Sequence, residues 1–151
     1  MEYCKASEDV LQVVAEMAEK NHPRLGGHEL AVLMQDKATE KAGKVILATA
    51  SLPPARMKPL LADDVEFVIC IAADRWTNLT PEKRQAVVDH ELCHCGLDAD
   101  TGKPYIRAHD YEEFGEVAER HGFWREDHGE GLVQQAFSGI LPKVKVSTLT
   151  K

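Results

Sequence analysis

Long apolar runs are missing from this chain of 151 residues. No stretch approaches the ~20 residues that a helix needs to cross a bilayer, so no membrane-spanning helix and no membrane partner are expected. Paired Cys-x-x-Cys knuckles are missing too. The four cysteines are Cys4, Cys70, Cys93 and Cys95, and the last two are too close together on one helix to bridge each other. That removes the usual cysteine-rich zinc modules and leaves reduced thiols as the expected state. A basic stripe is absent as well. Asp and Glu number 25 against 18 Lys and Arg, for a formal charge of −7, and the basic residues are scattered apart from Lys143-Val144-Lys145. Sequence-independent affinity for DNA or RNA is therefore not expected. The first residues, Met1-Glu2-Tyr3-Cys4-Lys5, show no basic region leading into an apolar core. They do not form a secretory signal, and the expected location is the cytoplasm. There is no internal repeat and no sign of a second domain, so residues 1–151 are expected to form one domain, large enough for a single core.

What is present is one stretch with clear helix boundaries and clear chemistry, Thr80 to Gly96. Thr80 is a good N-cap and Pro81 suits the first helical position. Glu82 complements the helix dipole, and Gly96 has the identity expected just past a helix end. Val88, Leu92 and Cys95 fall on one face and predict a core stripe. His90 and His94, four apart, share a face roughly opposite it. Glu91 lies beside them, giving His90-Glu91-Leu92-Cys93-His94, an H-E-x-x-H arrangement. Two imidazoles one turn apart can grip a single zinc ion, and the carboxylate between them is placed to take a proton from its water. Chance alignment among the seven histidines is the bland alternative. A capped helix with both histidines off the core stripe is the context that favours the metal.

A catalytic zinc generally takes three protein ligands and leaves one position open. His109, Glu113 and Asp100 compete for the third. Asp110-Tyr111-Glu112-Glu113 has a capping-box pattern ahead of Phe114, Val117 and Ala118 at helical spacing. Glu113 then folds back on the cap, and His109 sits at a fixed corner before the helix. Asp100 lies in a turn-like run, Asp98-Ala99-Asp100-Thr101-Gly102. His109 leads on ligand type and local role, and the other two remain open.

The rest of the chain predicts an α+β fold. Val10, Val13, Val14 and Met17 give an amphipathic helix over Glu8–Lys20, ending at Asn21-His22-Pro23. Glu29–Gln35 predicts a strand, Asp36–Gly43 a loop with a helical turn over Lys37–Lys41 as the alternative, and Lys44–Ala50 the returning strand. Pro53, Pro54 and Pro59 mark an irregular connection, with a short helical turn over Lys58–Ala62. Val65–Ala72, short and β-branched, predicts a strand buried on both faces. Gly131–Phe137 is read as a short helix, and Pro142 onward as an edge strand or a loose tail (residues 138–151). His28, His121 and His128 are read as structural or surface groups, Phe123 and Trp124 as cover for the core edge, and Trp76 as core with a groove wall as the alternative. The expected whole is a small, mostly antiparallel or mixed sheet of three to four strands, packed on an N-terminal helix, the motif helix and a C-terminal helix.

Asp89-His90-Glu91-Leu92-Cys93-His94-Cys95, followed by His109-Asp110-Tyr111-Glu112-Glu113-Phe114, resembles the putative phage metallopeptidase family. More loosely it is similar to SprT-like and related small zincins, in which a histidine precedes a helix carrying an aromatic residue. The metzincin pattern does not apply, because Leu97 stands where glycine is required and Asp100 where histidine is. The resemblance implies a zincin-like fold, a zinc-dependent peptidase acting on protein or peptide, and host cytoplasm as the location of a phage-encoded chain. The expected roles are Zn²⁺ held by His90, His94 and His109, with Glu91 as general base and then proton donor to the leaving amine. Tyr105, Arg107 and Tyr111 are candidate oxyanion donors, and Val65–Ala72 is the candidate strand for aligning an extended peptide. Two other classes stay in view: a zinc-binding regulatory or assembly module without catalysis, and a metal-dependent nuclease.

Overall fold

The computed structural model describes residues 2–109, 114–122 and 144–150. In chain order the elements are β1 (Tyr3–Lys5), α1 (Glu8–Asn21), β2 (Glu29–Gln35), β3 (Thr39–Lys41), β4 (Lys44–Ile46), β5 (Ala48–Ser51), β6 (Phe67–Ala72), α2 (Ala73–Trp76), α3 (Pro81–His94), β7 (Cys95–Leu97), β8 (Pro104–Ile106), α4 (Gly115–His121) and β9 (Lys145–Ser147). Short 3₁₀ helices at Pro23–Leu25 and Ala55–Leu60 punctuate the connections. The readings of Gly131–Phe137, Phe123, Trp124 and His128 lie outside the described residues, as do those of Tyr111 and Glu113.

The main sheet is mixed and has five strands in the described residues. Strands β2 and β6 form its centre, paired in parallel from Leu30–Phe67 to Gln35–Ala72. Both are apolar runs covered on both faces, as parallel central strands must be. On the other edge of β2, β1 pairs antiparallel with Leu33–Gln35 and β9 pairs parallel with Glu29–Ala31. These two three-residue strands raise the number above the expected three to four, and they are too short to show a period of their own. The segment after Pro142 thus contains an edge strand.

The segment after β2 departs from the sequence reading. Neither a loop nor a helical turn fills it. Ala42 (φ 52°) and Gly43 (φ 79°) both take left-handed backbone, which closes a tight two-residue turn and pairs Lys41 with Lys44. The predicted returning strand is therefore split. Its first half, β4, belongs to a separate hairpin with β3, and its second half, β5, pairs antiparallel with β6 rather than with β2. As a result β6 is internal and β5 is the sheet edge, which corrects the expectation that Val65–Ala72 would be the strand open to a peptide.

Helices α1 and α3 cover one face of the sheet. Val10, Val14 and Met17 of α1 and Val88, Leu92 and Cys95 at the end of α3 share one core with Leu30, Val32, Phe67, Ile69 and Ile71. The predicted stripe on α3 is buried, and Trp76 belongs to the same core. Thr80 caps α3, its Oγ1 accepting from Lys83 N at 3.2 Å. At the other end Gly96 does not serve as a left-handed cap. The chain passes directly from α3 into β7, which pairs antiparallel with β8. A Cβ at Gly96 would lie 2.6–2.9 Å from ring atoms of Tyr105, so glycine is needed there to seat the aromatic ring. Arg24 supplies the missing cap: its Nη2 donates to the carbonyls of Leu92 and Cys95, each at 2.9 Å.

Candidate metal centre

Helix α3 presents His90, Glu91 and His94 to a cleft of about 440 Å³. One wall is the β3–β4 hairpin with Lys41, Val45 and Ile46, and along another runs β5 with Ala48, Thr49 and Ala50. His109 lies at the same cleft, three residues after β8 ends. His90, His94 and His109 each offer a ring nitrogen within 4.8 Å of the others, a group that could hold a metal ion. Their ring centroids are 4.5–5.2 Å apart. Nε2 of His109 faces Nε2 of His90 at 2.9 Å.

The surroundings fix how these rings are presented. The Arg107 carbonyl can only accept, so His94 Nδ1 donates to it at 2.6 Å. In the neutral ring this makes Nε2 the unprotonated nitrogen, the tautomer that metal-binding histidines commonly show. Phe114, fully buried, packs edge-on against all three imidazoles at 4.8–5.3 Å between centroids. With Cys93 and Val117 it forms a small apolar cluster that joins α4 to the back of α3. Glu91 is only 6% exposed yet lines the cleft, with Oε2 3.9 Å from His90 Nε2.

Zinc–nitrogen bonds of about 2.0–2.1 Å at tetrahedral angles put two ligand nitrogens roughly 3.3 Å apart. The 2.9 Å gap between His90 and His109 needs only a small opening to meet this. The donor set therefore fits a borderline divalent ion, with three imidazoles on one side and a cleft on the other.

Of the other sequence candidates, Asp100 is exposed in the β7–β8 turn, where its N–H and that of Thr101 donate to Asp98 Oδ1, both at 2.9 Å. Arg107 does not line the cleft. Its Nη1 donates to Glu116 Oε1 at 2.6 Å. Tyr105 is half exposed over Gly96 and is likewise not part of the cleft wall.

A model of the family described as putative phage metallopeptidase matches residues 1–137. The chain belongs to that family. No curated protein and no solved structure matches it.

This member of the family carries a second polar cluster that the sequence reading missed. Asp89, immediately before His90, is completely buried. Its carboxylate accepts from His22 Nε2, from His121 Nε2 at 2.8 Å, from Arg120 Nη1 at 2.8 and 3.1 Å, and from Asn21 Nδ2 at 3.3 Å. Burial opposes its ionised form, but the hydrogen bonds from His121 and His22 and the charge of Arg120 outweigh that and hold the carboxyl below the usual range. His22, lowered by its own burial, stays neutral with Nε2–H toward Asp89 and Nδ1 accepting from Arg24 Nη1 at 2.8 Å. His121 is thus no surface group: its side chain is 14% exposed and committed to Asp89. His22, Asp89 and Cys93 also meet the distance condition for a metal. Arg24 and Arg120 already supply the cationic charge there, and burial pushes the Cys93 thiol up, so it stays protonated. The signal available in the sequence was a lone carboxylate at Asp89 in an otherwise apolar turn, Ala86-Val87-Val88.

Proposed function

We propose that this chain is a zinc-dependent peptidase with a zincin-like α+β fold, and that it hydrolyses peptide bonds in protein or peptide substrates. The observation that carries the reading is the meeting of three imidazole nitrogens within 4.8 Å beside Glu91 in one open cleft. Membership of the phage metallopeptidase family supports the same reading.

His90, His94 and His109 hold the ion in this proposal. When bound there, it acidifies a water toward neutrality and polarises a substrate carbonyl. Glu91 takes the proton from the attacking water and hands it to the departing amine. Its near-complete burial beside His90 limits the directions the carboxylate can point. Strand β5, at the end of the sheet among the described residues, aligns an extended peptide by strand addition, with the β3–β4 hairpin as a further wall of the cleft.

The test is hydrolysis of an unfolded protein by purified, zinc-loaded enzyme, alongside Glu91→Gln. The wild type should cut and should lose activity to a chelator. The variant should keep its metal and lose a factor of about 10² or more in turnover, the size of a general-base contribution. Equal cutting by both would remove Glu91 from the chemistry. Bound zinc with no cutting by either would turn the reading to a regulatory zinc module.

A further inference from the structure

His109 follows Arg107 by two residues, and Arg107 is fastened to His94 twice by its backbone. Its N–H donates to the His94 carbonyl at 2.8 Å, and its own carbonyl accepts from His94 Nδ1 at 2.6 Å. The side chain reaches the opposite way, to α4. The guanidinium carbon lies 4.5 Å from the centroid of Phe114, and Nη1 donates to Glu116 Oε1 at 2.6 Å. Glu116 Oε2 is 3.9 Å from Arg120 Nη2, and Arg120 donates to Asp89. This line of contacts leaves α3 at His94 and returns to it at Asp89, one residue before His90. The Phe114 ring, under the Arg107 guanidinium, packs against all three imidazoles.

We propose that Arg107, clamped by Glu116, is the positioning residue of the metal site: it fixes the tautomer of His94 and the point where His109 enters the cleft. The inference rests on the metal reading above. The physical reason is the peptide unit between Arg107 and Ala108, whose carbonyl meets His94 Nδ1. A turn of that unit swings the carbonyl off His94 Nδ1 and redirects the chain toward His109 in the same movement. On one side His94 holds Arg107 through the N–H of one peptide unit and the carbonyl of the next, just past the three-residue strand β8. The guanidinium holds it from the other. Arginine suits the post because a flat group can lie on Phe114 and donate to a carboxylate at once. Both side chains of the pair are about one-third exposed, 32% and 33%, so the bond contributes little to global stability and acts through geometry.

The experiment titrates metal-free protein with Zn²⁺, and separately with Co²⁺, whose visible absorption reports ligand geometry. It compares wild type, Glu116→Gln, Arg107→Gln, Arg107→Lys, the double Gln variant and His94→Ala. Each single Gln substitution should weaken metal binding about tenfold to a hundredfold and alter the cobalt band. The metal-free melting point should move by no more than about 2 °C. The double variant should lose no more than the worse single one, because both remove the same bond. Arg107→Lys should recover part of the affinity. Wild-type affinity and an unchanged band in Glu116→Gln would overturn the proposal. So would additive losses that track a falling melting point. If His94→Ala binds metal as well as wild type, the metal reading itself falls and takes this inference with it. Binding that depends on His94 but not on Glu116 overturns the inference alone.

Discussion

Cys4 is exposed, Cys70 half-buried, and Cys93 and Cys95 have no solvent contact. Burial, with the nearby Cys4 thiol, pushes Cys70 up to about 11, and burial pushes Cys95 up to about 12. An alkylating reagent at mildly basic pH should therefore label Cys4 at once and Cys70 slowly, and should reach Cys93 and Cys95 only on unfolding. Peptide mass spectrometry of timed samples reads this directly. Rapid labelling of Cys93 in the folded protein would mean that the α3–α4 contact opens on its own, and the Phe114 floor beneath the imidazoles would not be fixed. At this scale the sequence disclosed the groups whose chemistry is local. His90, Glu91 and His94 share one helical turn and their spacing is enough to see them. His22, His121 and Arg120 were hidden, because each acquires its role only by meeting Asp89 across many residues of chain. A histidine has no sequence mark that separates a surface position from a buried hydrogen-bond donor.

At the scale of elements, α4 has seven residues and is too short to be stable alone. It is held by Phe114 and Val117 against Cys93, and by Arg120 and His121 at Asp89. Phe114→Ala should cost about 3 kcal/mol, a typical loss for a fully buried phenylalanine. It should also loosen metal binding, because the ring backs all three imidazoles. Urea unfolding and zinc titration of the same variant check both effects. A stability loss under about 1 kcal/mol would show that α4 is not packed as described. The elements visible in advance were those with a strong period or a solid apolar run: α1, β2, β6 and α3 all lie within a few residues of expectation. What failed was pairing. The run Lys44–Ala50 has the right composition for a strand, but nothing in it says that Leu47 divides it or that β6 is the partner. That division matters to the proposed function, because among the described residues it leaves β5 at the end of the sheet and turns the β3–β4 hairpin into a wall of the cleft.

At the scale of the whole molecule, Asp89 is a buried charge at which three helices meet. Asn21 and His22 at the end of α1, Arg120 and His121 at the end of α4, and α3 itself converge on a single carboxylate. Sequence separations of 67 and 32 residues across the His22 and His121 bonds mean that this knot forms only once the fold has closed. Asp89→Asn keeps the shape and removes the charge. Arg120, whose side chain is 13% exposed, would then face a neutral amide whose N–H₂ competes with donors already in place. Removing one partner of a buried ion pair costs about 3–5 kcal/mol. Against a total stability of roughly 5–15 kcal/mol, that brings the protein near its threshold. The expected result is a urea midpoint that falls sharply with little change in slope, since the same surface is exposed on unfolding. A variant that loses less than about 1 kcal/mol would mean that the carboxylate is solvated rather than shared among the helices. What joins the ends of α1 and α4 to α3 would then have to be sought in the apolar contacts alone.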